Sequence, residues 1–220
     1  MINDQIKQKI KEEARVYFEG ASGCHDWSHV ERVTDLALHI GKLENADLDV
    51  LEISGYLHDI GRKEEMTKKG GFCHAEKSAE LSKDILEKYD IDQKDRDNIL
   101  HCIITHRFRN AHIPETIEAK IIFDSDKLDS IGAIGIARAF LFSGGAGSNN
   151  LYTGNEKKLA EDGGNYSYTK EDSAVLEYEI KMKKIKDKVL TETGKKVAQA
   201  RHNFMERYFN QFWQEVKGEL

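Results

Sequence analysis

The chain has 220 residues, of which 39% are hydrophobic and 33% charged, with one proline and a formal charge of −6. That length buries a core without disulfide staples. Three cysteines with no CxxC pair leave an odd thiol, which fits a reducing, cytoplasmic setting better than a disulfide framework. The negative balance speaks against nucleic acid as the main partner. No stretch approaches the length of a membrane span and the first residues form a charged amphipathic segment, so neither membrane insertion nor export is expected.

Helix dominates the reading, because the single proline is Pro114 and Glu, Lys, Leu, Ala and Ile are abundant. The first helix is predicted from about Asn3 to Phe18, stopping at Gly20 and Gly23. A polar turn, CHDWS, leads into a second helix with Val30, Val33, Leu36, Ala37 and Ile40 at helical spacing, Ser28 as N-cap and Gly41 as C-terminal break. A third carries Leu48, Leu51, Ile53 and Leu57 and ends beside Gly61, with His58 and Asp59 in its last turn. Two more follow in CHAEKSAELSKDILEKYD and DRDNILHCIITHRF.

The apolar run EAKIIFDSDKLDSIGAIGIARAFLF is predicted as one long helix, in which Gly132 and Gly135 call for the close approach of a neighbour. Residues 143–172 are rich in Gly, Asn and Ser, with Tyr152, Tyr166 and Tyr168 scattered among them, and read as a lid or a disordered loop. From Ser173 to about Val216 the chain is again helical, and its stripe of Met205, Phe204, Tyr208, Phe212 and Trp213 is most simply core packing. With no repeat and no linker, one all-α domain over residues 1–220 is expected.

The chemistry gathers in His58 and Asp59, with His29 upstream and the carboxylates Asp124, Asp126 and Asp129 downstream. Imidazole nitrogen with carboxylate oxygen suits Mn, Fe, Co, Ni or Zn, and bundles assemble such sites from facing helices. Asp59, flanked by Leu57 and Ile60, is at least partly buried, and a buried carboxylate wants a cation. The spacing alone leaves open which aspartate of the downstream cluster takes part. His25, four residues before His29, reads as a capping or turn residue.

These residues resemble the H…HD…D signature of the HD-domain metal-dependent phosphohydrolase superfamily. The longer text HDWSHVERV, LHDIGR, ITHRFRN, IIFDSDKLDSIGAIGIARAF and TETGKKVAQARHNFM is similar to its YpgQ/YedJ-like branch across nearly the whole chain. The resemblance implies an all-α HD-domain helical bundle with a Gly-rich loop and a C-terminal helix, and His29, His58, Asp59 and Asp126 as ligands of a divalent metal, Mn first, with Mg, Co, Ni, Fe or Zn as alternatives. In dinuclear relatives extra histidines hold a second ion, and His74, His101 and His106 are placed to do so. Asp59 and His106 are the catalytic candidates, while Arg32, Arg62, Lys63, Arg107, Arg109 and Lys127 supply positive charge for phosphate. Lys127 stands where the branch more often has Arg.

The substrate class implied is a small phosphorylated molecule, a nucleotide, with (deoxy)nucleoside triphosphates cleaved to monophosphate and pyrophosphate. A 5′-nucleotidase or other phosphomonoesterase or phosphodiesterase, a non-catalytic nucleotide-binding module and a diiron oxygenase are the other classes the superfamily contains. Homodimerisation stays open. No G-x-x-x-x-G-K-[ST] loop is present, so P-loop chemistry is unsupported.

Overall fold

The computed structural model describes residues 1–21, 23–67, 73–107, 112–145, 150–164, 166, 169 and 171–220. All regular secondary structure among them is helical, as composition and periodicity predict, and none of these helices is long and apolar enough to cross a membrane. The chain divides into two compact units, one of Met1–Asp126 with Leu190–Gly194 and one of Lys127–Val189 with Lys195–Leu220.

In the first unit, α1 (Asp4–Val16) is capped by Asn3, whose side chain accepts from Gln5 N. A 3-10 turn, Gly23–His25, precedes α2 (Trp27–Glu44). Its N-cap is Asp26 and not Ser28: the Asp26 carboxylate, on extended backbone, accepts from His29 N, while Ser28 is already helical and donates its hydroxyl to Asp26. Nor does α2 stop at Gly41. It runs on to Glu44 and closes at Asn45 in the left-handed conformation.

Helix α3 (Leu48–Leu57), capped by Asp47, packs along α2, where Leu51 meets Gly41 and Gly55 meets Thr34, and Val50, Leu51, Ile53 and Leu57 of α3 are buried, as are Val30, Val33, Ala37 and Ile40 of α2. His58 is its C-cap and Asp59 lies in the turn beyond, one step past the predicted last turn. A short α4 (Arg62–Thr67), which the periodicity did not announce, is followed by α5 (His74–Leu86), α6 (Gln93–Thr105) and α7 (Ile117–Asp129).

The second unit holds α8 (Gly132–Gly145), α9 (Glu156–Asp162), α10 (Ala174–Ile180), a 3-10 stretch over Met182–Lys188 and most of α11 (Glu192–Val216). The predicted long helix is therefore two helices. Gly132 stands at φ +79°, a conformation that side-chain-bearing residues rarely adopt, and this breaks α7 from α8. The predicted close neighbour is also present, since a Cβ on Gly132 would press on the Arg201 side chain.

Within residues 143–172 the structure places α9, where a lid or loop was expected; Tyr168 lies outside the described residues. The aromatic stripe of α11 is only partly core: Met205 and Phe209 are buried, the latter stacked on Tyr178 at 4.0 Å, whereas Phe204 and Tyr208 are exposed.

Candidate metal centre

Steric details of the first unit set the site. Gly55 of α3 faces Thr34 of α2 so closely that a Cβ would collide with it, and this approach brings His58 toward His29. At Gly61 a Cβ would meet Ser78 N at 2.8 Å and His74 O at 2.9 Å, and the Gly61 N–H donates to Ser78 Oγ at 2.9 Å. The turn carrying Asp59 is thereby held against the start of α5, where His74 stands. His106 caps the C-terminus of α6, and Asp126 comes from α7.

Asp59 is the hub. Its Oδ2 lies 3.8 Å from His29 Nε2, 4.0 Å from His58 Nε2 and 3.5 Å from His25 Nδ1. Its Oδ1 lies 3.0 Å from His74 Nε2 and 3.5 Å from His106 Nε2. Asp126 Oδ1 approaches His29 Nε2 at 3.6 Å, and the Nε2 atoms of His29 and His58 face each other at 3.4 Å. Among the described residues three compact donor groups result: His29, His58 and Asp126; His25, His29 and Asp59; and Asp59, His74 and His106.

The tautomers follow from the partners. His58 Nδ1 donates to Gly55 O at 2.8 Å and His106 Nδ1 to Ile103 O at 2.6 Å, so each ring turns its Nε2 inward. His74 is the opposite case. The guanidinium groups of Arg62 and Arg107 reach its Nδ1 at 2.9 and 2.8 Å, and a guanidinium only donates. Arg62 also reaches His74 Nε2, at 3.2 Å, and that nitrogen lies 3.2 Å from His106 Nε2.

Burial pushes the pKa values of His58 and His25 down to about 4 and lowers that of His74, so at neutral pH these rings are uncharged. For Asp59, burial alone would raise the carboxyl, but His58, His106, His25 and His74 outweigh it and hold the group well below the ordinary carboxylate range. An ionised, buried carboxylate among inward-facing imidazole lone pairs is costly by itself and complements a divalent cation, so these residues fit the metal that the sequence implies.

The three acidic candidates separate cleanly. Asp126 turns to His29. Asp124 is wholly buried and accepts from Leu190 N and Thr191 N, both at 2.8 Å, and from Thr191 Oγ1 at 2.6 Å. Asp129 pairs with Arg138 at 2.6 Å in the second unit.

Among the basic residues, Arg62 and Arg107 reach the cluster through His74, and Arg62 also bonds His25 Nε2 at 3.1 Å. Arg32 donates to Ser28 Oγ at 2.9 Å, and Lys63 Nζ donates to Glu19 O at 2.7 Å from an exposed position, so neither of these contacts belongs to the cluster. Lys127, half-buried, falls in the second unit, and Arg109 lies outside the described residues. His101 accepts from Glu115 N at 3.0 Å. His25 is the residue that sequence reasoning passed over: the 3-10 turn brings its ring within 5.3 Å of the His29 ring, centroid to centroid. The four-residue spacing to His29 was the available signal.

Residues 26–131 match the family model described as HD domain. The chain is 34% identical over 207 residues to YpgQ of Bacillus subtilis, covering 90% of this chain and 87% of that protein. The crystal structure of Bacillus subtilis YpgQ in complex with ADP superposes with a TM-score of 0.71 at 30% identity, covering 96% of this chain and 95% of the other. An HD-superfamily hydrolase from Bacillus thuringiensis gives a TM-score of 0.72 at 25% identity, covering 97% and 98%.

Proposed function

The chain belongs to the HD-domain family and is YpgQ-like, and on that footing we propose that it is a metal-dependent phosphohydrolase that cleaves (deoxy)nucleoside triphosphates to monophosphate and pyrophosphate. The observation that carries the reading is the approach of His58 Nε2, Asp59 Oδ2 and Asp126 Oδ1 to His29 Nε2, beside the guanidinium groups of Arg62 and Arg107. A nucleotide as ligand is supported by the ADP held by the Bacillus subtilis relative.

Those four side chains would hold one divalent ion, Mn first, with Mg, Co, Ni, Fe or Zn as alternatives. Such an ion supplies Lewis acidity and lowers the pKa of a bound water toward neutrality. The protein's own groups do the rest. Arg62 and Arg107 offset charge on the phosphoryl oxygens, for which Arg32, Lys63, Arg109 and Lys127 are further candidates. Water oxygen adds to the α-phosphorus, the bond from that phosphorus to the α,β-bridging oxygen breaks, and pyrophosphate leaves with the electron pair. His106 Nε2, its lone pair fixed inward by the Ile103 carbonyl, takes the water's proton, and Asp59 orients the assembly.

A second reading has its own observation, the grouping of Asp59 Oδ1 with His74 and His106, which would take a second ion and, with iron, oxygen chemistry. The surroundings of His74 favour one metal, because guanidinium N–H groups already face both of its ring nitrogens.

The test is product analysis after incubating the Mn-loaded protein with nucleoside mono-, di- and triphosphates, with Asp59→Ala as blank. Monophosphate plus pyrophosphate from triphosphates is the expected result. Orthophosphate from monophosphates would replace the reading with a 5′-nucleotidase, and no product from any of them would favour a nucleotide-binding module or, with bound iron, an oxygenase.

A further inference from the structure

Asp124 and the segment Leu190–Gly194 have no part in the chemistry above, yet they form a dense polar cluster in the first unit, buried at Asp124, Thr191 and Gly194. The Asp124 carboxylate accepts three hydrogen bonds, from Leu190 N, Thr191 N and Thr191 Oγ1. Thr191 Oγ1 in turn accepts from Gly194 N at 3.1 Å, and Thr193 N donates to Glu44 Oε1 at 2.7 Å. Glu44 is the last residue of α2, the helix that carries His29 in its first turn. The segment therefore binds both helices whose side chains meet at the His29–Asp126 contact.

Helix geometry gives this a consequence. Asp124 and Asp126 stand two residues apart on α7, so their side chains leave the axis about 200° apart. One face of α7 grips the segment while the nearly opposite face presents Asp126 to His29 at 3.6 Å. Apolar packing of Ile121, Ile122 and Phe123 tolerates small rotations of a helix about its axis, because it is not directional. Three short hydrogen bonds to one buried carboxylate are directional, and they fix the azimuth.

We propose that Asp124, clamped by Thr191 and Leu190, is a positioning residue that sets the rotation of α7 and so the placement of the Asp126 carboxylate at the metal. The inference rests on Asp126 being a ligand. It assigns a purpose to the TETG text, which lies more than sixty residues from the aspartate it holds.

The experiment is Mn titration, followed by the loss of the free-Mn paramagnetic resonance signal, on the full chain and on Asp124→Asn, Thr191→Val, Thr191→Ser and Asp126→Asn. Thermal unfolding of each chelator-treated protein is measured alongside. Asp124→Asn and Thr191→Val are expected to weaken Mn affinity about 10-fold or more, the scale of lost support behind a ligand. Thr191→Ser keeps the hydroxyl and should bind as the parent does.

Wild-type Mn affinity in folded Thr191→Val and Asp124→Asn, with only the unfolding temperature lowered, would reduce the clamp to a structural staple and overturn the proposal. Should Asp124→Asn fail to fold, Thr191→Val with its Ser control decides alone. Unchanged affinity in Asp126→Asn would instead refute the ligand assignment itself, and the inference would fall with it.

Discussion

Acidification destabilises the metal-free protein in a window set by its buried imidazoles. The unfolded His58 ring takes a proton near 6.5, whereas burial holds the folded ring uncharged down to about 4. Between those values the unfolded state binds more protons than the folded one, so stability is full above the unfolded value and falls as pH drops toward the folded one. From pH 7 to pH 5 the linkage costs about 2 kcal/mol for His58 alone, at 1.36 kcal/mol for each pH unit over which only the unfolded ring is protonated.

His25, displaced in the same direction, adds to this loss. Asp59 has the opposite sign: its depressed value gives stability that is present above the ordinary carboxylate range and lost only below it, outside this window. Against a typical domain stability of about 5–15 kcal/mol, the loss is large. Urea unfolding of chelator-treated protein at pH 5, 6 and 7 reads it directly. The midpoint should fall steadily with pH, by about 1 M or more between pH 7 and pH 5 at an ordinary denaturant slope. A flat midpoint, or one that rises toward pH 5, would refute the picture of uncharged buried imidazoles.

Three further outcomes follow from the packing. Gly61→Ala must push the Asp59 turn away from the backbone of Ser78 and His74, and should cost about 1–3 kcal/mol in unfolding free energy while weakening Mn binding. Gly132→Ala, at φ +79° and against Arg201, should lower stability by about 1 kcal/mol or more, which calorimetry would detect, with Mn affinity unchanged. Arg62→Ala should raise the KM for a nucleoside triphosphate about 10-fold or more at saturating Mn; an unchanged KM would remove Arg62 from the phosphate-binding set.

Much of the fold was legible because its helices announce themselves by period and cap. The apolar stripes of α2 and α3 follow from Val30, Val33, Ala37 and Ile40 and from Leu51, Ile53 and Leu57, all of which are buried. Boundaries were less legible where two residues compete for one role: Asp26 displaced Ser28 as N-cap because it stands on the extended residue just before the helix. The break at Gly132 was hidden, because glycine serves equally in a tight helix contact and in a left-handed turn.

At the site, the convergence of His29, His58, Asp59 and Asp126 could be anticipated from residue types and family text. Asp124, Asp126 and Asp129 could not be told apart by spacing. Their roles depend on Thr191 and on Arg138, partners distant in sequence or in a separate helix. His25 was missed for a similar reason, since only the turn Gly23–His25 and the fork of Arg62 make it a neighbour of Asp59.

The most direct measurement of the central claim is X-ray anomalous scattering at the Mn edge from crystals of the Mn-loaded protein. The account predicts a peak within coordination distance of His29 Nε2, His58 Nε2 and the carboxylates of Asp59 and Asp126, absent in crystals of Asp59→Ala. A peak elsewhere, or none at that cluster in the loaded parent protein, would contradict it.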